Sequence, residues 1–154
     1  MIEPQKTLRA YVDADVLFRA ATASHANTAA LVLLRMGEFT LLDVISAAYT
    51  VEEAVNALQR RLPGKRQILL ELIANTVRMV DDPPAALLQI HRERAHWKDA
   101  INLAAAVHAQ AHFLITYNVK DYFPQKGTLR VMTPGQLVSA SREAIYRIKS
   151  QLTG

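Results

Sequence analysis

Acidic residues recur in this chain at one kind of place, although they are far apart in number. Asp13 ends the apolar run Leu8–Val12, and Glu53 lies at the start of an apolar-periodic segment. Asp99 opens a second such segment, and Asp121 follows the run His112–Thr116. If the apolar runs are parallel strands, their carboxyl ends lie along one sheet edge, where open α/β sheets bind ligands. Carboxylates gathered there repel one another unless a cation lies between them, and hard divalent ions such as Mg²⁺ take oxygen ligands. The chemistry suggested is that of a metal-dependent site.

Each of these residues also has a structural use. Asp13 and Asp15, in Val12-Asp13-Ala14-Asp15-Val16-Leu17, can cap a following helix. Asp99 can serve the dipole of the helix it opens, yet that helix is apolar on most of its surface, and a charge entering a buried element needs a partner. Glu52 and Glu53 share a first helical turn, and spacing does not choose between them. Asp121 lies in the polar stretch Thr116-Tyr117-Asn118-Val119-Lys120-Asp121, where Asn118 offers a neutral oxygen ligand or a donor to a carboxylate. Asp43, Asp81 and Asp82 also follow apolar runs, and turn formation accounts for them.

The elements that would position these residues alternate in type. Strands are expected at Leu8–Asp13, Phe39–Val44, Val77–Val80, His112–Thr116 and Leu129–Met132. Helices are expected at Thr22–Met36, with Gly37 as its stop, and at Thr50–Leu62, with Thr50 as its cap. Further helices are expected at Lys65–Asn75, Ala85–Arg94, Trp97–Gln110 and Gln136–Gln151. Such alternation implies an α/β fold with a parallel sheet of about five strands between helical layers. The 154 residues read as one domain, 1–154, with a core over about 8–138.

Composition narrows the function classes. There is no cysteine, which removes disulfides, thiolate nucleophiles and Cys-ligated zinc. The longest apolar stretches fall well short of a membrane span. The first residues lack the pattern of a signal peptide, so a cytoplasmic protein with no membrane association is expected. The net charge of +4 favours polyanionic partners. Basic residues cluster at Arg60, Arg61, Lys65 and Arg66. Others (Arg92, Arg94 and Lys98) precede Asp99, and Lys120 precedes Asp121. Arg92, Lys98 and Lys120 are the candidates for contacts with a nucleic-acid backbone. The first cluster is equally well read as a solvated helix face. His96, three residues before Asp99, is more readily a surface histidine than a catalytic one, and no histidine pair has zinc spacing.

Taken together, the segments Tyr11-Val12-Asp13-Ala14-Asp15-Val16-Leu17, Thr50-Val51-Glu52-Glu53-Ala54-Val55, Lys98-Asp99-Ala100-Ile101-Asn102-Leu103-Ala104 and Leu114–Pro124 resemble the PIN-domain ribonucleases. The likeness is greatest to the VapC-like toxins of bacterial toxin–antitoxin modules, and Val131–Leu137 resembles that family's last strand and turn. The resemblance implies a PIN-like three-layer α/β/α domain and Mg²⁺- or Mn²⁺-dependent endoribonuclease activity on RNA. It maps the catalytic acids to Asp13, Glu53, Asp99 and Asp121, with Asp13, Asp99 and Asp121 as metal ligands. Asp15, Asn118 and Thr116 take supporting places. The acid usual directly after the Thr-x pair is here Asn118, with Asp121 three residues on, so the choice of ligand between them stays open. A cognate antitoxin and a homodimer are implied as partners. The rival readings are a metal-free PIN-like RNA-binding module, a solitary RNA-processing nuclease and a haloacid-dehalogenase-like phosphatase. For the last, Asp13-x-Asp15 fits, but the downstream acidic pair is missing.

Overall fold

In the computed structural model, residues 7–91, 97–122 and 129–153 are described, without the side chains of Trp97 and Lys98. The strands are β1 (Arg9–Val12), β2 (Asp43–Ala47), β3 (Arg78–Val80), β4 (Phe113–Ile115) and β5 (Arg130–Met132). They form one sheet in the order β3-β2-β1-β4-β5, and every pairing is parallel. The helices are α1 (Ala14–Ala21), α2 (Ala29–Glu38), α3 (Ala48–Arg61), α4 (Arg66–Thr76), α5 (Ala85–His91), α6 (Trp97–His108) and α7 (Pro134–Thr153). None of the described helices is long and apolar enough to cross a membrane.

The sheet order follows from burial. Tyr11, Val12, Ile45, Leu114 and Ile115 are fully buried, so the strands carrying them occupy the centre, with a helical layer on each face. On one face α1–α4 cover Ala10, Val12, Val44 and Ile115. On the other, Leu103, Ala105 and Ala106 of α6 pack on Tyr11, Ile45 and Leu114. The small alanines of α6 bring its backbone close to the sheet, as the apolar pattern of Trp97–Gln110 requires.

Several expected boundaries are corrected. The helix expected at Thr22–Met36 begins only at Ala29, as α2, and a further helix, α1, precedes it. α1 starts directly after Asp13, because that carboxylate caps it, and residues 22–28 form the turn into α2. Gly37 does not stop α2 but lies inside it. A Cβ there would sit 2.6 Å from the Thr76 carbonyl and 2.8 Å from Val44 Cγ2, so glycine lets α2 approach α4 and β2. The strand expected at Phe39–Val44 begins at Asp43. Phe39 and Leu41 are 69% and 67% exposed in the preceding turn, and their apolar character imitated a strand. Thr50 is not a cap; α3 begins at Ala48, and Thr50 is buried within it. The expected stretch Arg92–Arg94 of the fifth helix lies outside the described residues.

Replacing Gly37 with Ala should lower unfolding free energy by about 1–3 kcal/mol, since a backbone carbonyl and a β-branched side chain must both move. Urea unfolding measures this, and an unchanged midpoint would show that α2 has room to shift.

Candidate active site

The carboxyl ends of β1 and β4 meet at Asp13. Its N–H continues the β1–β4 ladder by donating to the Ile115 carbonyl at 2.9 Å. Its carboxylate, 6% exposed, then accepts from four directions. Oδ1 takes the Ala14 N–H at 2.6 Å and the Asn102 amide at 3.0 Å. Oδ2 takes the Thr116 hydroxyl at 2.9 Å and the Tyr122 hydroxyl at 3.5 Å. Asp13 thus caps α1 and lies buried beneath the helix start that carries Asp15.

Asp15 lies one residue into α1, beside it. Its Oδ2 accepts from the Tyr117 N–H at 3.0 Å, the Asn118 amide at 3.2 Å and the Thr116 hydroxyl at 3.3 Å. Thr116 has one hydroxyl proton for both carboxylates, and Asn118 N–H donates to its oxygen at 3.1 Å. The second oxygen of Asp15 is buried without a hydrogen-bond partner. Burial raises the carboxyl of Asp13 above the usual range. Burial first, and then the neighbouring Asp13 charge, push Asp15 up to about 7. Two carboxylates that, among the described residues, have hydroxyl and amide donors but no hydrogen-bonded cation are poorly stabilised as a charged pair.

A directed hydrogen-bond chain stands behind Asp13. Since the carboxylate only accepts, the Asn102 amide nitrogen faces it and the amide oxygen faces Thr50, whose hydroxyl donates at 2.6 Å. The Tyr11 hydroxyl, 2.7 Å from Thr50 Oγ1, then has to donate to Thr50, and its own oxygen accepts the Ala47 N–H at 3.3 Å. Burial holds the Tyr11 phenol protonated, pushing it up to about 12. Burial also raises Tyr122, helped by the charges of Asp13, Asp99 and Asp15. That hydroxyl therefore marks a point within electrostatic reach of all three acids.

The expected residues thus fall into groups. Asp13, Asp15, Thr116 and Asn118 are joined by direct hydrogen bonds. Glu53 lines the same cleft as Asp15 and Asn118. Asp99 lies in the first turn of α6, three residues before Asn102, and acts on Tyr122. Asp121 ends a short 3₁₀ turn, its N–H donating to the Asn118 carbonyl at 2.9 Å, and Lys120 is exposed on that turn. Arg92, Arg94, His96 and the Lys98 side chain lie outside the described residues. Asn102, Tyr122 and the Tyr11–Thr50 pair were not expected. The available signal for Asn102 was an amide three residues after an acid on an otherwise apolar helix, which places both on one face.

The donor set fits a hard divalent ion: all oxygen, two carboxylates, one of them with a buried unpartnered oxygen. Among the described residues no three acidic or histidine side chains are gathered tightly enough to enclose an ion unaided. Mg²⁺ commonly takes one or two carboxylates and completes its shell with water and substrate phosphate. The larger cavity, about 770 Å³, is at the opposite sheet edge around Arg9, Asp43 and Arg78. There Asp43 accepts from Arg78 Nη2 at 2.7 Å and Arg9 Nε at 2.9 Å, and these partners hold its carboxyl below the usual range. This is a satisfied ion-pair knot joining three strands rather than a reactive site.

The parallel sheet and its flanking helices define a PIN-like α/β domain, with the acidic cleft at the carboxyl edge of its strands. Among solved structures the chain is similar to PAE2754 from Pyrobaculum aerophilum, with 18% identity and a TM-score of 0.57 over 80% of this chain and 89% of that one. It is also similar to VapBC2 from Rickettsia felis bound to a DNA fragment from their promoter, with 12% identity and a TM-score of 0.64 over 82% of this chain and 98% of that one. At these identities the likeness is one of fold. No protein-family model matches the sequence, and no curated protein matches it.

Two outcomes follow from the site. The unfolded chain titrates Asp15 near 3.8, whereas the folded protein holds it near 7. Its contribution to stability is therefore complete below pH 3.8 and is lost as pH rises through 7. In EDTA, wild-type protein should lose melting temperature relative to Asp15→Asn between pH 5 and pH 8, and Mn²⁺ should restore it. A constant difference across that range would overturn the assignment. Separately, Asn102→Ala strips a donor from Asp13 and an acceptor from Thr50, and should cost about 2–3 kcal/mol in chemical unfolding.

Proposed function

We propose that this chain is a divalent-metal-dependent endoribonuclease of the VapC kind, which hydrolyses RNA phosphodiester bonds. The observation that carries this reading is the Asp13–Asp15 pair. The two carboxylates share the Thr116 hydroxyl at the carboxyl edge of a parallel sheet, and Asp15 has one buried oxygen without a partner. A site of this kind is incomplete until a cation joins it.

Mg²⁺ or Mn²⁺ would supply neutralisation of phosphoryl charge and a lowered pKa for bound water. Asp13 and Asp15 would hold the ion, with Asp99 and Asp121 as the further acids of the ligand set. The chain's own residues do the positioning. Thr116 fixes the spacing of the two carboxylates, and Asn118 holds Asp15 from the β4 side. Asn102 and Tyr122 hold Asp13 from behind. Glu53, exposed across the cleft, is placed to orient a water or accept its proton. Lys120 and Lys98 would meet the RNA backbone, together with Arg92. The VapBC2 structure supports a cognate antitoxin as protein partner. Assembly as a homodimer is part of the same proposal.

The test is cleavage of mixed structured RNA in Mn²⁺ and in EDTA. Cutting should require the metal and fall by at least about 100-fold in Asp13→Asn and Asp99→Asn, in line with loss of a group acting at the reacting centre. Products should carry 5′-phosphates. Full activity in both variants, each shown to be folded by circular dichroism, would sink the proposal.

A further inference from the structure

We infer that Arg19, Arg60 and Arg61 form a phosphate-binding rim that seats a single strand of RNA beside the acidic floor. The inference rests on the nuclease reading above, whose basic candidates were other residues.

The cleft that holds Asp15, Glu53 and Asn118 encloses about 390 Å³, and its remaining wall is built by Arg19, Arg60 and Arg61 with Phe18 and Tyr117. Helical spacing explains the arrangement. On α1, Asp15, Phe18 and Arg19 stand at i, i+3 and i+4, and so share one face. On α3, Glu53, Ala57, Arg60 and Arg61 stand at i, i+4, i+7 and i+8, again on one face. Both helices start at the carboxyl edge of the sheet. Each therefore presents its acid near the strand ends and its arginine further out. At 1.5 Å per residue, Arg19 lies about 6 Å beyond Asp15 along α1, and Arg60 about 10 Å beyond Glu53 along α3. A strand whose phosphodiester reaches the carboxylates must place neighbouring phosphates over this rim.

Two of the three guanidinium groups lie against aromatic rings. Arg19 stacks 4.9 Å from the centroid of the Tyr117 ring, and Arg61 stacks 5.6 Å from that of Phe18. A guanidinium held against a ring keeps a planar, permanently charged fork, the group suited to bidentate phosphate contact. The ion pairs of Arg9 and Arg78 with Asp43 and of Arg35 with Glu38 lie away from the rim. The Tyr117 ring, half-buried against the core, anchors the Arg19 end of the rim next to Asn118. An acidic protein segment would satisfy the arginines, but it has no use for a floor of carboxylates. A polyphosphate strand can bridge a cation on the floor and guanidinium groups on the rim.

The experiment is fluorescence anisotropy of a labelled single-stranded RNA dodecamer in EDTA, where cleavage is absent, with sodium chloride varied. Arg19→Ala/Arg60→Ala/Arg61→Ala should weaken binding on the order of tenfold at low salt. It should also flatten the slope of log K against log salt by about 2, at roughly 0.7 per phosphate released from a single strand. The control is Arg142→Ala/Arg147→Ala, two exposed arginines of α7 outside the cleft, which should leave the slope unchanged. Arg19→Lys/Arg60→Lys/Arg61→Lys should keep the wild-type slope but only part of the affinity, since the charge is present without the fork. An unchanged slope in the triple variant, or a loss no greater than in the α7 control, would overturn the rim. A weakened triple variant of a protein that never cuts RNA would uphold the rim and remove the nuclease reading. Normal metal-dependent cutting with unaltered binding would do the reverse.

Discussion

A carboxylate buried at the centre of the molecule sets the terms for what surrounds it. Asp13 cannot leave the core, because it continues β1 and starts α1. A charge in that position has to be met by donors. Those donors come from α1 itself, from α6 through Asn102, from the end of β4 through Thr116, and from the following turn through Tyr122. Each lies on an element separately anchored in the core. The same side chain therefore fixes where helices on both sheet faces meet the strand ends. Neutral donors are enough to hold the carboxylate but not to make its charge comfortable, and Asp15 alongside makes it less so.

Comparison of the two sheet edges shows what separates an acid with its charge matched from one without. Asp43 begins β2 at the amino edge and lies between two guanidinium groups, so its ionised form is favoured. Asp13 and Asp15 lie at the carboxyl edge among hydroxyls and amides, and their ionised forms are disfavoured. Residue type is the same in all three, and the difference lies in whether a cation is built in. The carboxyl edge is the one with an unmet demand for positive charge, and the arginines nearest to it stop one or two helical turns short.

Much of this was legible in the sequence, for identifiable reasons. The sheet was, because β1, β4 and β5 are short apolar runs separated by helical periodicity. Asp13, Asp15, Thr116 and Asn118 were, because their positions relative to those runs put them at one edge. The helix α1 was only hinted at, through Asp13 as a possible cap, since Ala14–Ala21 follows its strand without a turn and is only eight residues long. Phe39 and Leu41 moved β2 too early, because apolar character was taken for burial. Thr50 imitated a cap, whereas its hydroxyl is aimed at a residue 52 positions away. Asn102 and the stacking of Arg19 on Tyr117 are contacts between elements distant in number, and no local pattern announces them.

The one-way order of donors from Ala47 through Tyr11, Thr50 and Asn102 to Asp13 also constrains how this protein can change over generations. Each member gives a proton in one direction only, so altering one strands its neighbour, buried and unmatched. Replacing two adjacent members together by apolar groups of like shape leaves less unpaired than either change alone. Drift in this part of the core should therefore proceed by paired substitutions. Among relatives, Thr50 and Asn102 are then expected to vary jointly, or to be retained jointly, as a single inherited unit.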